Sequence, residues 1–255
     1  MLAIGLHPLV LADGTDVEIL NWLDDYSRYL LHCTAYRRVS GPDVVTSFTH
    51  TAETHGLPAC TLTDNGSVYT SRFTNGHNDF ERLIASLGVI QKNGHPNHPQ
   101  TQGKIERFHQ TLKRWLRARP RPATITELQT LLDEFAAIYN TQRIHRAHPG
   151  QITPAQAYQA RPKAHPPGLP ADTFRIRHDT VDQFGKLTLR HGSRLHHLGV
   201  SRAHAQTPVL ILVTTKTVTV ISKTGYHVLA SHHINPDKNY WPNKHKNPGQ
   251  RPGNL

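Results

Sequence analysis

The spacing of apolar residues changes twice along this 255-residue chain. Near the start it is that of strands. Val17-Glu-Ile-Leu-Asn-Trp-Leu23 and Tyr29-Leu-Leu-His-Cys-Thr-Ala35 read as two strands joined at Asp24-Asp-Tyr-Ser-Arg28, and Leu11-Ala-Asp-Gly-Thr15 as the turn of a preceding hairpin. Gly41-Pro-Asp43 opens a helix reaching about His55, with proline at a tolerated first-turn position. Ala59–Thr63 is the next strand, Phe80–Leu87 a helix closed by Gly88, and Val89–Gln91 a short strand. Strands as a meander first, then alternating with helices, predict an α/β fold with a mixed sheet flanked by helices.

Through the middle the period becomes helical. In Thr101–Arg117, Ile105, Phe108, Leu112 and Leu116 form one apolar stripe, and Glu106, Gln110, Lys113 and Arg117 a polar row beside it. Glu106 stands at the border of the two, roughly 10 Å along the axis from Lys113. Thr124-Ile-Thr-Glu127 reads as a capping box opening a second helix, with Ile125, Leu128, Leu132, Phe135 and Tyr139 on one stripe. Thr153–Tyr158 reads as a short helical turn. From Phe174 the period returns to two, and Phe174–Arg177, Lys186–Arg190, Val209–Val213, Thr217–Ile221 and His227–Ala230 predict a small, barrel-like all-β module. The expected division is a core over 1–160, a Pro-rich linker over 161–172, the β module over 173–234 and a disordered basic tail over 235–255.

Charge sharpens this division. The net formal charge is +11, yet residues 1–89 hold five Lys/Arg against ten Asp/Glu, residues 90–160 ten against four, and residues 161–255 fourteen against four. An acidic first block followed by basic ones suits a metal-binding core whose other surfaces grip nucleic acid. The twenty histidines would add charge at mildly acid pH. No apolar run approaches the ~20 residues of a membrane span, and no signal-peptide pattern opens the chain. Cys33 and Cys60 form no disulfide or metal framework, so a cytoplasmic, nucleoid-associated protein is expected.

Three stretches carry chemistry in combination: Thr63-Asp-Asn-Gly66; the run His95-Pro-Asn-His-Pro-Gln-Thr-Gln-Gly-Lys-Ile-Glu-Arg-Phe-His-Gln-Thr-Leu-Lys113; and Tyr139-Asn140 through Pro154-Ala-Gln-Ala-Tyr158. In this order they resemble the DDE-type transposases and retroviral-type integrases, most nearly bacterial insertion-sequence transposases with an integrase core, over about residues 9–165. The resemblance implies a ribonuclease-H-like fold, with Trp22–Leu30 in its second and third strands. It also implies DNA strand transfer by two divalent ions, Mg²⁺ or Mn²⁺, held by two aspartates and a glutamate. Such a pair, about 3.5–4 Å apart, clamps the attacking and leaving oxygens of a phosphoryl displacement. Asp64 matches the second aspartate and Glu106 the glutamate, with 41 residues between them. Taken alone, Asp-Asn-Gly is an ordinary turn. Lys104, Arg107, Gln110, Lys113 and Arg117 are the expected nucleic-acid contacts, or else solvated surface residues.

The first aspartate is missing. The family carries it in a Trp-x-x-Asp-x-Thr setting on the first strand, which counts back from Leu11 to about Gly5, and Met1–Val10 contains no acid. Asp13 and Asp16 belong to the hairpin turn, and Asp24 and Asp25 to the next connection. The helical DNA-binding region that precedes the core in longer relatives is also unmatched. The sequence therefore predicts a transposase lacking its N-terminal part, with an incomplete metal site and weak or absent strand transfer. Its expected partners are element ends, target DNA and further copies of itself assembled on DNA. Three readings stay open: an active transposase, a DNA-binding remnant without catalysis, and an unrelated basic, His-rich metal-binding protein. A zinc site from His95 and His98 would need partners that the sequence does not place, and His196-His197 and His232-His233 read equally as solvated residues.

Overall fold

The computed structural model describes residues 1–71, 76–93, 99–145, 148, 150–167 and 174–245, the side chains of 99–102 excepted. The chain divides into two compact units, Met1–Pro167 and Gly168–Leu255.

The first unit is built on one mixed sheet. β1 (Leu2–Val10), β2 (Asp16–Asp24) and β3 (Leu30–Tyr36) form an antiparallel meander, and β4 (Cys60–Thr63) and β5 (Ile90–Asn93) add in parallel, giving the order β3-β2-β1-β4-β5. This is the mixed α/β sheet that the residue pattern predicts, in the ribonuclease-H-like arrangement that the resemblance implies. β2 is buried on both faces. Val17, Ile19 and Leu23 enter one core, shared with Phe108 and Leu112 of α3 (Pro99–Arg117) and Leu128, Leu132 and Phe135 of α4 (Ile125–Thr141). The alternate residue Trp22 points the other way, against Phe48 of α1 (Gly41–His55) and Phe80 of α2 (Asp79–Ser86), with ring centroids 5.6 and 6.0 Å away. Its indole N–H, which burial would otherwise leave unpaired, donates to Ser47 Oγ at 3.0 Å.

Both helical stripes read from the sequence are the packed ones: Ile105, Phe108, Leu112 and Leu116 on α3, and Leu128, Leu132, Phe135 and Tyr139 on α4 are all buried. At α4 the capping differs in detail. Thr124 Oγ1 accepts from Glu127 N–H at 3.1 Å, whereas the Glu127 carboxylate reaches past Thr124 to the N–H of Ala123 at 2.7 Å. Reciprocal boxes form at α1 and α2 and at α5 (Pro154–Gln159), the last between Thr153 and Gln156. Residues 161–167, expected in the linker, lie in the first unit, where Ala59 N–H donates to Ala164 O at 3.1 Å. The remainder of that linker, 168–172, falls outside the described residues.

The second unit has two sheets over one core. β6 (Arg175–Thr180), β9 (Pro208–Val213), β10 (Thr217–Ser222) and β11 (Val228–His233) form one, and β7 (Lys186–His191), β8 (Arg194–Gly199) and β12 (Tyr240–Trp241) the other. β8 and β12 escape the period-two reading, since Arg194-Leu-His-His-Leu-Gly199 buries histidine where an apolar residue would mark a strand. The tail expected to be disordered from Asn235 is ordered as far as 245. β12 pairs parallel to β8, and Trp241 is 1% exposed with its indole N–H donating to Asn235 O at 2.9 Å. One aromatic buried among Val, Leu and Ile outweighs the Pro/Asn/Lys composition around it. Residues 246–255 fall outside the described residues.

Candidate active site

β4 ends at Thr63, and the next residue, Asp64, turns the chain with its own side chain. Gly66 N–H donates to Asp64 Oδ1 at 2.8 Å. A Cβ on Gly66 would stand 2.9 Å from that oxygen, so a side chain there would displace the Asp64 carboxylate. Asp64 is half-buried. Glu106, on the first part of α3, is exposed and lines the same cleft, about 180 Å³ in volume, together with Gly5 and Leu6 of β1, Thr63 and His109. Residues 42 positions apart thus line one cleft because β4 lies beside β1 while α3 crosses β1.

The β1 side of this cleft has no carboxylate. Gly5 is paired with Asn21 of β2 and faces α3. A Cβ at Gly5 would lie 2.6 Å from Ile105 Cγ1 and 2.7 Å from the imidazole of His109. His109 therefore occupies the space beside Gly5, held by Asn21, whose amide nitrogen lies 3.1 Å from His109 Nε2, and by the ring of His7 at 5.3 Å. Burial, and secondarily His7, pushes the His109 imidazole down to about 4, and burial followed by Lys113 lowers His7. The cleft thus combines two carboxylates with a neutral imidazole. Burial, then Asp64 and Glu18, pushes up the hydroxyl of the neighbouring Tyr69.

Other residues singled out in the sequence are dispersed. Asp24 caps its own turn by accepting from Ser27 N–H and Oγ at 2.8 and 2.6 Å. Asp25 pairs with Lys104 at 2.7 Å, and Lys104, two residues before Glu106, faces the side of α3 roughly opposite it. Neither aspartate lines the cleft. Arg107 and Gln110 line a separate groove, while Lys113 and Arg117 stay exposed on the Glu106 row. His196 and His232 are not solvated: both are fully buried, and His196 stacks on Trp241 with centroids 4.5 Å apart. His95 and His98 lie outside the described residues. His109 and His7 went unremarked in the sequence, although both stand at same-face spacings, three residues after Glu106 on a helix and two after Gly5 on a strand.

Two oxygen ligands suit a hydrated Mg²⁺ or Mn²⁺. They do not make the two-metal centre that the resemblance implies. Among the described residues no three His, Cys, Asp or Glu side chains are grouped to hold a metal ion.

Comparison with known proteins gives the same picture of the fold. The family model described as integrase core domain matches residues 87–154. The Gag-Pro-Pol polyprotein of sheep pulmonary adenomatosis virus is 43% identical over 63 residues, 25% of this chain and 3% of the polyprotein. That of simian retrovirus SRV-1 is 34% identical over 91 residues, 36% of this chain and 5% of the polyprotein. The chain thus spans a small fraction of these relatives. A chain in the structure of the simian T-cell lymphotropic virus intasome in complex with PP2A regulatory subunit B56 gamma superposes with a TM-score of 0.51 at 16% identity, covering 89% of this chain and 74% of that one.

Proposed function

We propose, from the premise that this chain carries an integrase core of the DDE, retroviral type, that it is a DNA-binding transposase-type protein whose strand transfer is disabled at the first carboxylate. The observation that carries this reading is Gly5. It stands across the cleft from Asp64 and Glu106, where the family pattern calls for an aspartate, and His109 and Ile105 fill the space a side chain would need. In the reading, Asp64 and Glu106 bind one Mg²⁺ or Mn²⁺ weakly, and Lys113 and Arg117 meet DNA phosphates along the Glu106 row. The net charge of +11 supports a polyanionic partner, both element ends and target DNA, on which copies of the chain assemble and which would keep it at the nucleoid. No described helix is long and apolar enough to cross a membrane.

Losing one electrostatic stabiliser of a transition state typically costs ~10²–10³ in rate, and losing a metal-bridging carboxylate is at least as severe. The test is nicking of a plasmid carrying the element's ends, in Mg²⁺ and in Mn²⁺. No metal-dependent nick is expected from this chain. A Mg²⁺-dependent nick that Glu106→Gln abolishes would overturn the reading in favour of an active transposase.

A further inference from the structure

A second charged surface lies on another flank of α3. Arg107, Thr111 and Arg114 project about a quarter turn around the helix from Glu106, at 100° per residue. Together with Arg28 from the β2–β3 turn and Arg143 and His145 from the segment after α4, they line a groove of about 860 Å³. No described lining residue is acidic. Lys104, also in the groove, is satisfied by Asp25, but none of the ion pairs among the described residues uses Arg28, Arg107, Arg114 or Arg143. Four guanidiniums from three separate parts of the chain therefore converge without a carboxylate.

Such convergence costs folding energy, and the backbone shows a related cost. Arg28 has φ +62°, a left-handed conformation that favours glycine, and its Nη1 donates to Tyr26 O at 3.2 Å. Arg143 is held over the Tyr139 ring at 5.7 Å. A repulsive cluster kept in place in this way is a site for an anion with several charges.

The floor of the groove selects among polyanions. Phe108 and Tyr139 are 2% and 3% exposed and pack edge-to-face on each other at 5.3 Å, so neither offers a face on which an unpaired base could stack. A concave, arginine-lined surface meets the convex sugar-phosphate ridge of a duplex, and base edges stay out of reach. We infer that this groove binds the phosphate backbone of duplex DNA independently of sequence, through Arg28, Arg107, Arg114 and Arg143. The inference rests on the reading of the chain as a DNA-binding integrase-type protein and adds to it a second DNA contact, separate from the Glu106 row.

The test uses the full chain carrying Arg28→Gly, Arg114→Gln and Arg143→Gln. Glycine suits the backbone at 28, and glutamine keeps the length of the other two side chains. Each lost phosphate contact lowers the slope of log affinity against log salt by ~0.9 on duplex DNA, so a decrease of about 2–3 is expected, equal on two unrelated duplexes. A reporter is built into the groove: burial first, then His148, Arg28, Arg143 and Arg107, holds the His145 imidazole down to about 4. Duplex binding should raise its titration, followed by NMR on the unsubstituted chain. An unchanged salt slope with an unmoved His145, a loss confined to one sequence, or equal competition by poly-glutamate would each overturn the groove assignment alone. No duplex binding at low salt by the unsubstituted chain would overturn the proposed function with it.

Discussion

At the scale of single residues, Gly5 decides most. Its missing side chain leaves room that His109 and Ile105 have taken, so even a methyl group is unwelcome. Gly5→Ala should destabilise the protein by ~1–3 kcal/mol through overpacking, measured by urea unfolding. In a Gly5→Ala/His109→Ala double variant part of that cost should return, since the imidazole atoms 2.7 Å from the added Cβ are then gone. Strictly additive effects would show that Ile105 alone sets the clash. Histidines also set a pH dependence opposite in sense to a simple gain of charge. Burial, and then His50, pushes His32 down to about 4, as burial and His7 do to His109. Both imidazoles normally titrate near 6.5, so between about 4 and 6.5 the unfolded chain binds protons that the folded chain refuses. Stability is therefore fully present above 6.5 and is lost as pH falls through this window. Tm should fall between pH 7 and pH 5, and His32→Gln should shrink the fall; a Tm flat over that range would contradict both burial arguments.

At the scale of elements, the exposed edge of the sheet is the weak point, and α4 answers it. β3 is an edge strand whose backbone groups would otherwise lack partners. Leu30 N–H donates to Asn140 Oδ1 at 2.8 Å, while Asn140 Nδ2 donates to Leu30 O at 2.9 Å. Further along, Gln129 accepts from Ala35 N–H and donates to Cys33 O, at 2.9 and 3.0 Å. Two side-chain amides thus act as a surrogate strand. Asn140→Ala would leave both Leu30 groups buried and unpaired, and leaving one buried group unsatisfied costs ~1–3 kcal/mol. Removing the exposed N-cap by Thr124→Ala should cost only ~1 kcal/mol. Chemical denaturation of the two variants checks the order, and an Asn140→Ala no worse than Thr124→Ala would mean that water replaces the amide.

At the scale of the whole molecule, each unit has a core of its own, and the second one closes through its last described strand. Trp241 sits among Val181, Leu187, Leu198 and Val218. Trp241→Ala in a fragment spanning 174–245 should cost ~3–5 kcal/mol, enough to unfold a module this small. The unsubstituted fragment should show a cooperative melt that the variant lacks. Residues 174–245 carry ten Lys/Arg against three Asp/Glu. The folded fragment should therefore bind DNA with an affinity that falls steeply with salt; binding indifferent to salt would mean that this charge only keeps the module in solution.

Sequence alone determined what local periodicity can encode. The stripe Ile105–Leu116 specified which face of α3 is buried, and so put Glu106 at the rim of that face. Counting back from the Leu11–Gly14 turn reached about Gly5 only through the spacing that the family resemblance implies. Packing decided the rest. Arg28 and Arg143 stand 115 positions apart, and their convergence with Arg114 is created only when α3 and α4 lie on β1–β3. Asn140 reads as one more polar residue at a helix end until β3 is beside it. Lys104 lies opposite Glu106 by helical phase alone, but its partner there, Asp25, is distant in sequence. Periodicity fixes which face of an element is apolar; which polar groups meet depends on what is packed against that element, and local sequence carries no record of it.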